Sequence, residues 1–170
     1  MNNKELERYK RHILLKEIGG SGQKLLKKSN VTVIGAGGLG SVVLFYLAAA
    51  GVGNIGLVDF DKVDESNLQR QVIHSTKWIG KLKSESAKSR IHELNPNCNV
   101  EIYNEPLSTQ NALEIFGKYD KFTMFNYSDP KRSPNFENNF NCDVRYYPST
   151  MDKKWMDYTM EKIDSLKVWS

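Results

Sequence analysis

The sequence predicts an α/β protein built on a doubly wound, mainly parallel sheet. Three observations carry that expectation. They are the β-branched apolar run Val31-Thr32-Val33-Ile34, the glycine loop Gly35-Ala36-Gly37-Gly38-Leu39-Gly40 directly after it, and a second apolar run, Ile55-Gly56-Leu57-Val58, that ends at Asp59. Near-continuous apolar strands are those a parallel sheet buries on both faces, and strand, glycine turn, helix and strand make the first unit of a doubly wound fold. At 170 residues the chain has room for one core and is short for two.

Taken in order, residues 6–18 place Tyr9, Ile13 and Leu14 near one helical face, and Gly19-Gly20 ends that pattern, so an amphipathic N-terminal helix is expected. A second short helix over 23–28 leads into the strand at 31–34. Residues 39–50 are small and apolar and stop at Gly51, which reads as a mostly buried helix. After the strand at 55–58, residues 62–76 are polar, show neither helical nor strand period and are too long for a simple connection, which marks a functional loop. A helix over 81–94 ends at Asn95-Pro96. A strand at 99–103, a helix over 109–116 opened by a Ser/Thr cap, and a strand at 121–125 complete the pattern.

After Asn126 the composition changes to prolines among Asn, Asp and Lys, with few aliphatic residues and no clear alternation of strand and helix. Within that tail, residues 151–168 fit one amphipathic helix with Trp155, Tyr158, Ile163 and Leu166 as packing residues. The expected organisation is an α/β half over 1–126 and a divergent tail over 127–170. There are no internal repeats.

Composition narrows the function. Hydrophobic residues make up 39% and charged residues 26%, ordinary for a globular protein, and the net charge is +4. The basic excess gathers early, at Lys4, Arg8, Lys10, Arg11, Lys16, Lys24, Lys27 and Lys28, but without aromatic interleaving or a nucleic-acid motif, so no nucleic-acid partner is expected. No apolar run approaches the roughly 20 residues needed to span a bilayer, and no secretory pattern opens the chain. A cytoplasmic protein without a membrane partner is expected. Cys98 and Cys142 lie far apart and form no C-x-x-C pair, so neither a disulfide framework nor a zinc site is expected.

The glycine loop is the first chemical signal, and its context makes this Rossmann-like: it follows a strand, opens a helix and precedes Asp59 by about 20 residues. Gly35 suits the tight turn, Gly37 or Gly38 lets a phosphate approach the backbone, Gly40 lets the helix pack on the sheet, and the helix N-terminus attracts negative charge. Asp59 is placed to accept hydrogen bonds from ribose hydroxyls. On these features NAD and ATP serve equally well. Beyond them, Asp59-Phe60-Asp61 leads into Asn67-Leu68-Gln69-Arg70-Gln71, with Lys83 shortly after. An amide, a guanidinium and an ammonium on the phosphate side suit an enzyme that displaces pyrophosphate and must neutralise developing charge.

As a set, Arg8-Tyr9-Lys10-Arg11-His12, the glycine loop, Ala50-Gly51-Val52-Gly53, Asp59-Phe60-Asp61, Ser66-Asn67-Leu68-Gln69-Arg70-Gln71 and Gly80-Lys81-Leu82-Lys83-Ser84-Glu85-Ser86-Ala87 resemble the MoeB/ThiF/HesA branch of ubiquitin-activating-like enzymes. The resemblance runs from about residue 5 to about residue 120. It implies ATP- and magnesium-dependent adenylation of the C-terminal glycine of a ubiquitin-like sulfur carrier of the MoaD or ThiS kind. It further implies that Gly35, Gly37, Gly38, Gly40, Asp59 and Asp61 border the nucleotide, that Ser66, Asn67, Leu68, Gln69 and Arg70 line ribose and phosphates, and that Arg70 and Lys83 meet phosphate oxygens. Arg11 matches an arginine that reaches the partner subunit's ATP site, which implies a homodimer.

The resemblance fails after the fourth strand. The nearest candidate for the magnesium-binding aspartate is Asp129 of Ser128-Asp129-Pro130, about two residues later after Tyr119-Asp120 than the family spacing and with proline where asparagine is expected. The remaining strands, the carrier-binding surface and the zinc-binding cysteine pairs have no counterpart, so the fold is expected to be incomplete relative to the family domain. Three readings follow: an active adenylyltransferase, a non-catalytic nucleotide-binding remnant or partner subunit, and an NAD-dependent oxidoreductase.

Overall fold

The computed structural model describes residues 1–108, 110–119, 121–125 and 142–145. Two short helices, α1 (Asn3–Arg8) and α2 (Lys10–Ile13), precede α3 (Gly19–Lys28) and the first strand β1 (Asn30–Ile34). There follow α4 (Gly38–Ala50), β2 (Asn54–Val58), α5 (Lys83–Leu94), β3 (Asn99–Tyr103), α6 (Ala112–Phe116), β4 (Lys121–Phe125) and β5 (Cys142–Arg145). The strands form one sheet in the order β3-β2-β1-β4-β5, with every pairing parallel except β4 with β5.

This order fixes where a ligand goes. The chain runs outward from β1 through β2 to β3, then crosses back to place β4 on the other side of β1, so the strand order reverses between β1 and β4. In open α/β sheets, ligands bind outside the carboxyl ends of the strands at such a reversal. The glycine loop leaves β1 there.

The sheet is buried on both faces, as its apolar strands require. Val31 and Val33 of β1, Ile55 and Leu57 of β2 and Val100 of β3 face α4 and α5, packing with Leu44, Ala48, Ala87 and Ile91. Ile34 and Val58 point to the other face, where Leu107, Ala112 and Ile115 cover them. Side chains alternate between the two layers with the strand period of two.

The N-terminal expectation needs correction. Residues 6–18 do not form one helix: the chain breaks at Tyr9, and the ring of Tyr9 drops into the core at 5% exposed while Leu14, expected on the buried face, is 70% exposed. At the break, Asn95 Nδ2 donates to Tyr9 Oη at 2.9 Å inside the core. Gly19 and Gly20 do not end a helix; they open α3, which therefore begins before residue 23. Nor is α4 mostly buried. Leu44 and Ala48 are covered, whereas Leu39, Val42 and Tyr46, at helical spacing, form an exposed apolar stripe.

Further along, the polar loop after β2 contains two 3₁₀ turns, Glu65–Asn67 and Thr76–Trp78; the first is capped by Asp64, which accepts from Ser66 N, while Asn67 Oδ1 accepts from Asp64 N. Bridges from Lys62 to Leu82 and from Val63 to Ile79 hold its two ends together and delay α5 from the expected residue 81 to Lys83. The start of α6 carries no side-chain cap; instead Asn111 Oδ1 accepts from Ser108 N before it. After residue 126, where no clear alternation of strand and helix is expected, β5 pairs antiparallel with β4. The expected helix over 151–168 lies outside the described residues.

Candidate functional site

Gly35 turns the chain out of β1 with φ of 94°, a left-handed conformation that glycine adopts without a Cβ penalty, and its N–H donates to Val58 O at 2.9 Å. The next residue is fixed by its neighbours. Ala36 N donates to Asp59 Oδ2 at 2.7 Å, and Ala36 O accepts from His74 Nε2 at 3.0 Å and from Ser41 Oγ at 3.4 Å. Beyond it, α4 starts at Gly38 with Gly37 as its cap residue, and no side chain among the described residues caps its first amides.

A Cβ built on Gly37 would meet nothing nearer than Gln71 Nε2 at 3.9 Å, and one on Gly38 nothing nearer than Arg70 O at 3.6 Å. Both backbones have ordinary angles, so the protein itself has room for side chains there. Their absence leaves space for a ligand that comes close to the backbone. Gly40 is buried in the first turn of α4.

Asp59 stands at the carboxyl end of β2, 6% exposed. Its two oxygens accept from Ala36 N and from Asp61 N, at 2.9 Å for the latter, and a carboxylate with four lone-pair positions keeps two for a ligand. Burial pushes its carboxyl above the ordinary carboxylate range, while the Ala36 N–H, the Lys83 charge and the Asp61 N–H pull it back. Lys83 opens α5, is 7% exposed, and places Nζ 2.9 Å from Asp61 Oδ2, whose side chain is 55% exposed. A phosphate entering the crevice finds an ammonium already desolvated and held by a carboxylate that water can receive.

The loop after β2 lies over the glycines. Arg70 packs against Gly38, its Nη1 donating to Ser66 O at 3.0 Å, and the guanidinium is otherwise exposed. Ser66 and Gln69 are exposed, and Asn67 and Leu68 are partly buried. Gln71, 6% exposed, turns back toward Gly37 with its Oε1 buried and without a partner among the described residues.

Arg11 is not part of this gathering. It lies exposed on α2, where the neighbouring His12 Nδ1 meets Gln23 Oε1 at 3.0 Å and Gln23 Nε2 donates to Ala50 O at the far end of α4. A helix the length of α4 spans about 20 Å, beyond the reach of any side chain from that end to the glycine loop. Asp129, the expected metal ligand, lies outside the described residues. Among the described residues no three of His, Cys, Asp or Glu gather as a metal site.

Two site residues escaped the sequence reading. Gln71 appeared only as part of a motif, and His74 not at all. His74 is 7% exposed, bridges Ala36 O and Ser86 Oγ, each at 3.0 Å, and burial lowers its pKa to about 4. Its spacing of one turn after Gln71 was legible, but nothing in a single sequence says that this histidine folds inward.

Comparison with known proteins agrees with this geometry. The ThiF family pattern matches residues 9–124. The chain belongs to the ThiF family. Among its relatives, the probable adenylyltransferase/sulfurtransferase MoeZ of Mycobacterium tuberculosis is 51% identical over 120 residues, covering 71% of this chain and 31% of that protein. The sulfur carrier protein adenylyltransferase of Thermus thermophilus is 49% identical, covering 68% of this chain and 43% of that protein. The ThiF-family chain thus spans roughly a third to two fifths of these relatives. Among solved structures, the tRNA N6-threonylcarbamoyladenosine dehydratase TcdA of E. coli in complex with ATP matches with a TM-score of 0.68 at 26% identity, over 72% of this chain and 50% of that one. No helix among the described residues is long and apolar enough to cross a membrane.

Proposed function

We propose that this chain binds ATP at the glycine loop and adenylates the C-terminal glycine of a ubiquitin-like sulfur carrier protein of the MoaD or ThiS kind. The observation that carries the reading is the convergence of Asp59, Arg70 over Gly38, and the buried Lys83 on one crevice at the reversal of strand order. The names of its relatives, adenylyltransferases of sulfur carriers among them, support the same chemistry.

In this reading, Asp59 receives the ribose hydroxyls on its two remaining lone-pair positions, and Gly37 and Gly38 let the phosphates meet the first amides of α4. Lys83 exchanges Asp61 for phosphate oxygens. A carboxylate oxygen of the carrier's terminal glycine attacks the α-phosphorus, the bond from that phosphorus to the bridging oxygen breaks, and pyrophosphate leaves with the electron pair. Arg70 and Lys83 neutralise the charge that builds on the leaving group. Magnesium, which Asp61 and Asp129 would hold, would supply further neutralisation of that charge.

Arg11 serves a second copy. It stands some 20 Å from its own glycine loop along α4, and the exposed stripe of Leu39, Val42 and Tyr46 gives a homodimer an apolar surface to cover. Mixing an Arg11→Ala chain with a Lys83→Met chain restores one intact site per pair if Arg11 acts in trans, and restores nothing if it acts in its own chain. The reading places the protein in the cytoplasm, where ATP is supplied.

Carrier-dependent exchange of labelled pyrophosphate into ATP is the direct test, and its absence with every carrier offered sinks the catalytic reading. A second reading is nucleotide binding without catalysis. It predicts calorimetric ATP binding with no exchange. Tight NAD binding without ATP binding contradicts both.

A further inference from the structure

We propose that His74 is a positioning residue that aims the glycine loop at the nucleotide, an inference that rests on the ATP-binding reading above. The geometry begins with the Ala36 carbonyl, which His74 Nε2 meets at 3.0 Å. A carbonyl only accepts, so Nε2 carries the hydrogen. In the neutral ring Nδ1 is then an acceptor, and it takes the hydroxyl hydrogen of Ser86 at 3.0 Å. One ring therefore joins three segments that deliver phosphate contacts.

The first is the glycine loop. The second is the turn that carries Arg70, since His74 N donates to Gln71 O at 3.0 Å and Gln71 N to Asn67 O at 2.9 Å. The third is α5, where Ser86 lies one turn beyond Lys83. Removing the ring removes the bonds from this turn to Ala36 O and to Ser86 Oγ.

The direction of the pull matters most. The Ala36 carbonyl and the Gly37 N–H belong to one planar trans peptide, in which they point opposite ways. A hydrogen bond that draws the carbonyl inward to His74 turns the Gly37 N–H outward, and that N–H makes no hydrogen bond within the described residues. His74 so presents a backbone donor to the crevice without touching the ligand. Burial keeps the ring neutral, and with it this single donor and acceptor arrangement.

Two substitutions in the full 170-residue chain separate aiming from packing. In His74→Gln the side-chain amide nitrogen reaches the place of Nε2 and still donates to Ala36 O. In His74→Asn the shorter amide reaches only the Ser86 side. The expected result is ATP binding within about three-fold of wild type for H74Q and about ten-fold weaker for H74N, the scale of one neutral hydrogen bond, with similar melting temperatures for both. Without nucleotide, the Gly37 amide nitrogen resonance moves in H74N and stays in H74Q. Equal ATP affinity in the two variants, with wild type binding, overturns the inference. Failure of wild type to bind ATP removes the nucleotide reading itself, and this inference with it. Should H74N not fold, the ring nitrogens of wild-type His74 decide: a hydrogen on Nδ1 rather than Nε2 overturns the proposal.

Discussion

The two ends of the sheet are built on opposite rules. At the amino end, where α1 to α3 dock under α4, the buried polar groups meet partners. Asn95 Nδ2 donates to Tyr9 Oη and, at 2.7 Å, to Ala48 O, Gln23 joins His12 to Ala50 O, and Lys27 pairs with the nearly buried Glu5. At the carboxyl end, among the described residues, no side chain caps α4, the buried Gln71 side-chain Oε1 has no partner, and Arg70 is exposed apart from its bond to Ser66 O. The glycines follow the same division. A Cβ on Gly53 would overlap the Lys27 carbonyl, and one on Gly51 would lie 2.6 Å from the Tyr9 ring, whereas Gly37 and Gly38 have space around them. Glycines at the closed end serve the fold; those at the open end wait for something that is not protein.

That contrast breaks most visibly at Gly53. In Gly53→Ala the new methyl meets backbone, which cannot rotate away, and a loss of about 3 kcal/mol or more is expected in urea unfolding. A wild-type-like midpoint would mean that the closed end has slack. Next comes acid. His74 has a folded pKa of about 4 against 6.5 in the unfolded chain, so the unfolded chain takes up its proton first as pH falls. The stability held above pH 6.5 is therefore lost progressively between pH 6.5 and about 4, by about 3 kcal/mol. In H74Q this part of the pH slope flattens; an unchanged slope assigns the loss to other groups.

Smaller is the effect of Tyr9→Phe. It removes the acceptor for one Asn95 hydrogen while Asn95 keeps Ala48 O, and a cost of about 1–2 kcal/mol is expected by thermal unfolding. Smallest in stability is Gly37→Ala. It is expected to leave the melting temperature in place within about half a kcal/mol of stability, yet to weaken ATP binding about ten-fold by crowding the phosphate. A fall in melting temperature with unchanged ATP affinity would reverse the division between the two ends.

Much of this was legible beforehand, for identifiable reasons. The strands at 31–34 and 55–58 were visible because a doubly covered sheet demands unbroken apolar runs, and the loop over 62–76 because polar sequence without period has no face to bury. The N-terminal helix was misread because Tyr9 gives up helical geometry for a hydrogen bond with Asn95, a residue far away in sequence. The strand at Cys142–Arg145 was missed because its pairing with β4 is a long-range match that local composition does not announce.

By itself the sequence determined the unit of strand, glycine turn, helix and strand, the acidic residue at its end and the charged loop beyond, since periodicity and turn chemistry are local. Only the tertiary structure decided which of those residues meet. It set Arg70 against Gly38, paired Lys83 with Asp61, put Arg11 at the opposite end of α4, and turned an unremarked histidine inward to hold the Ala36 carbonyl. Local preference chooses the elements, but the direction of a buried polar side chain is fixed by the need to find a partner once water is gone, and that partner comes from another part of the chain.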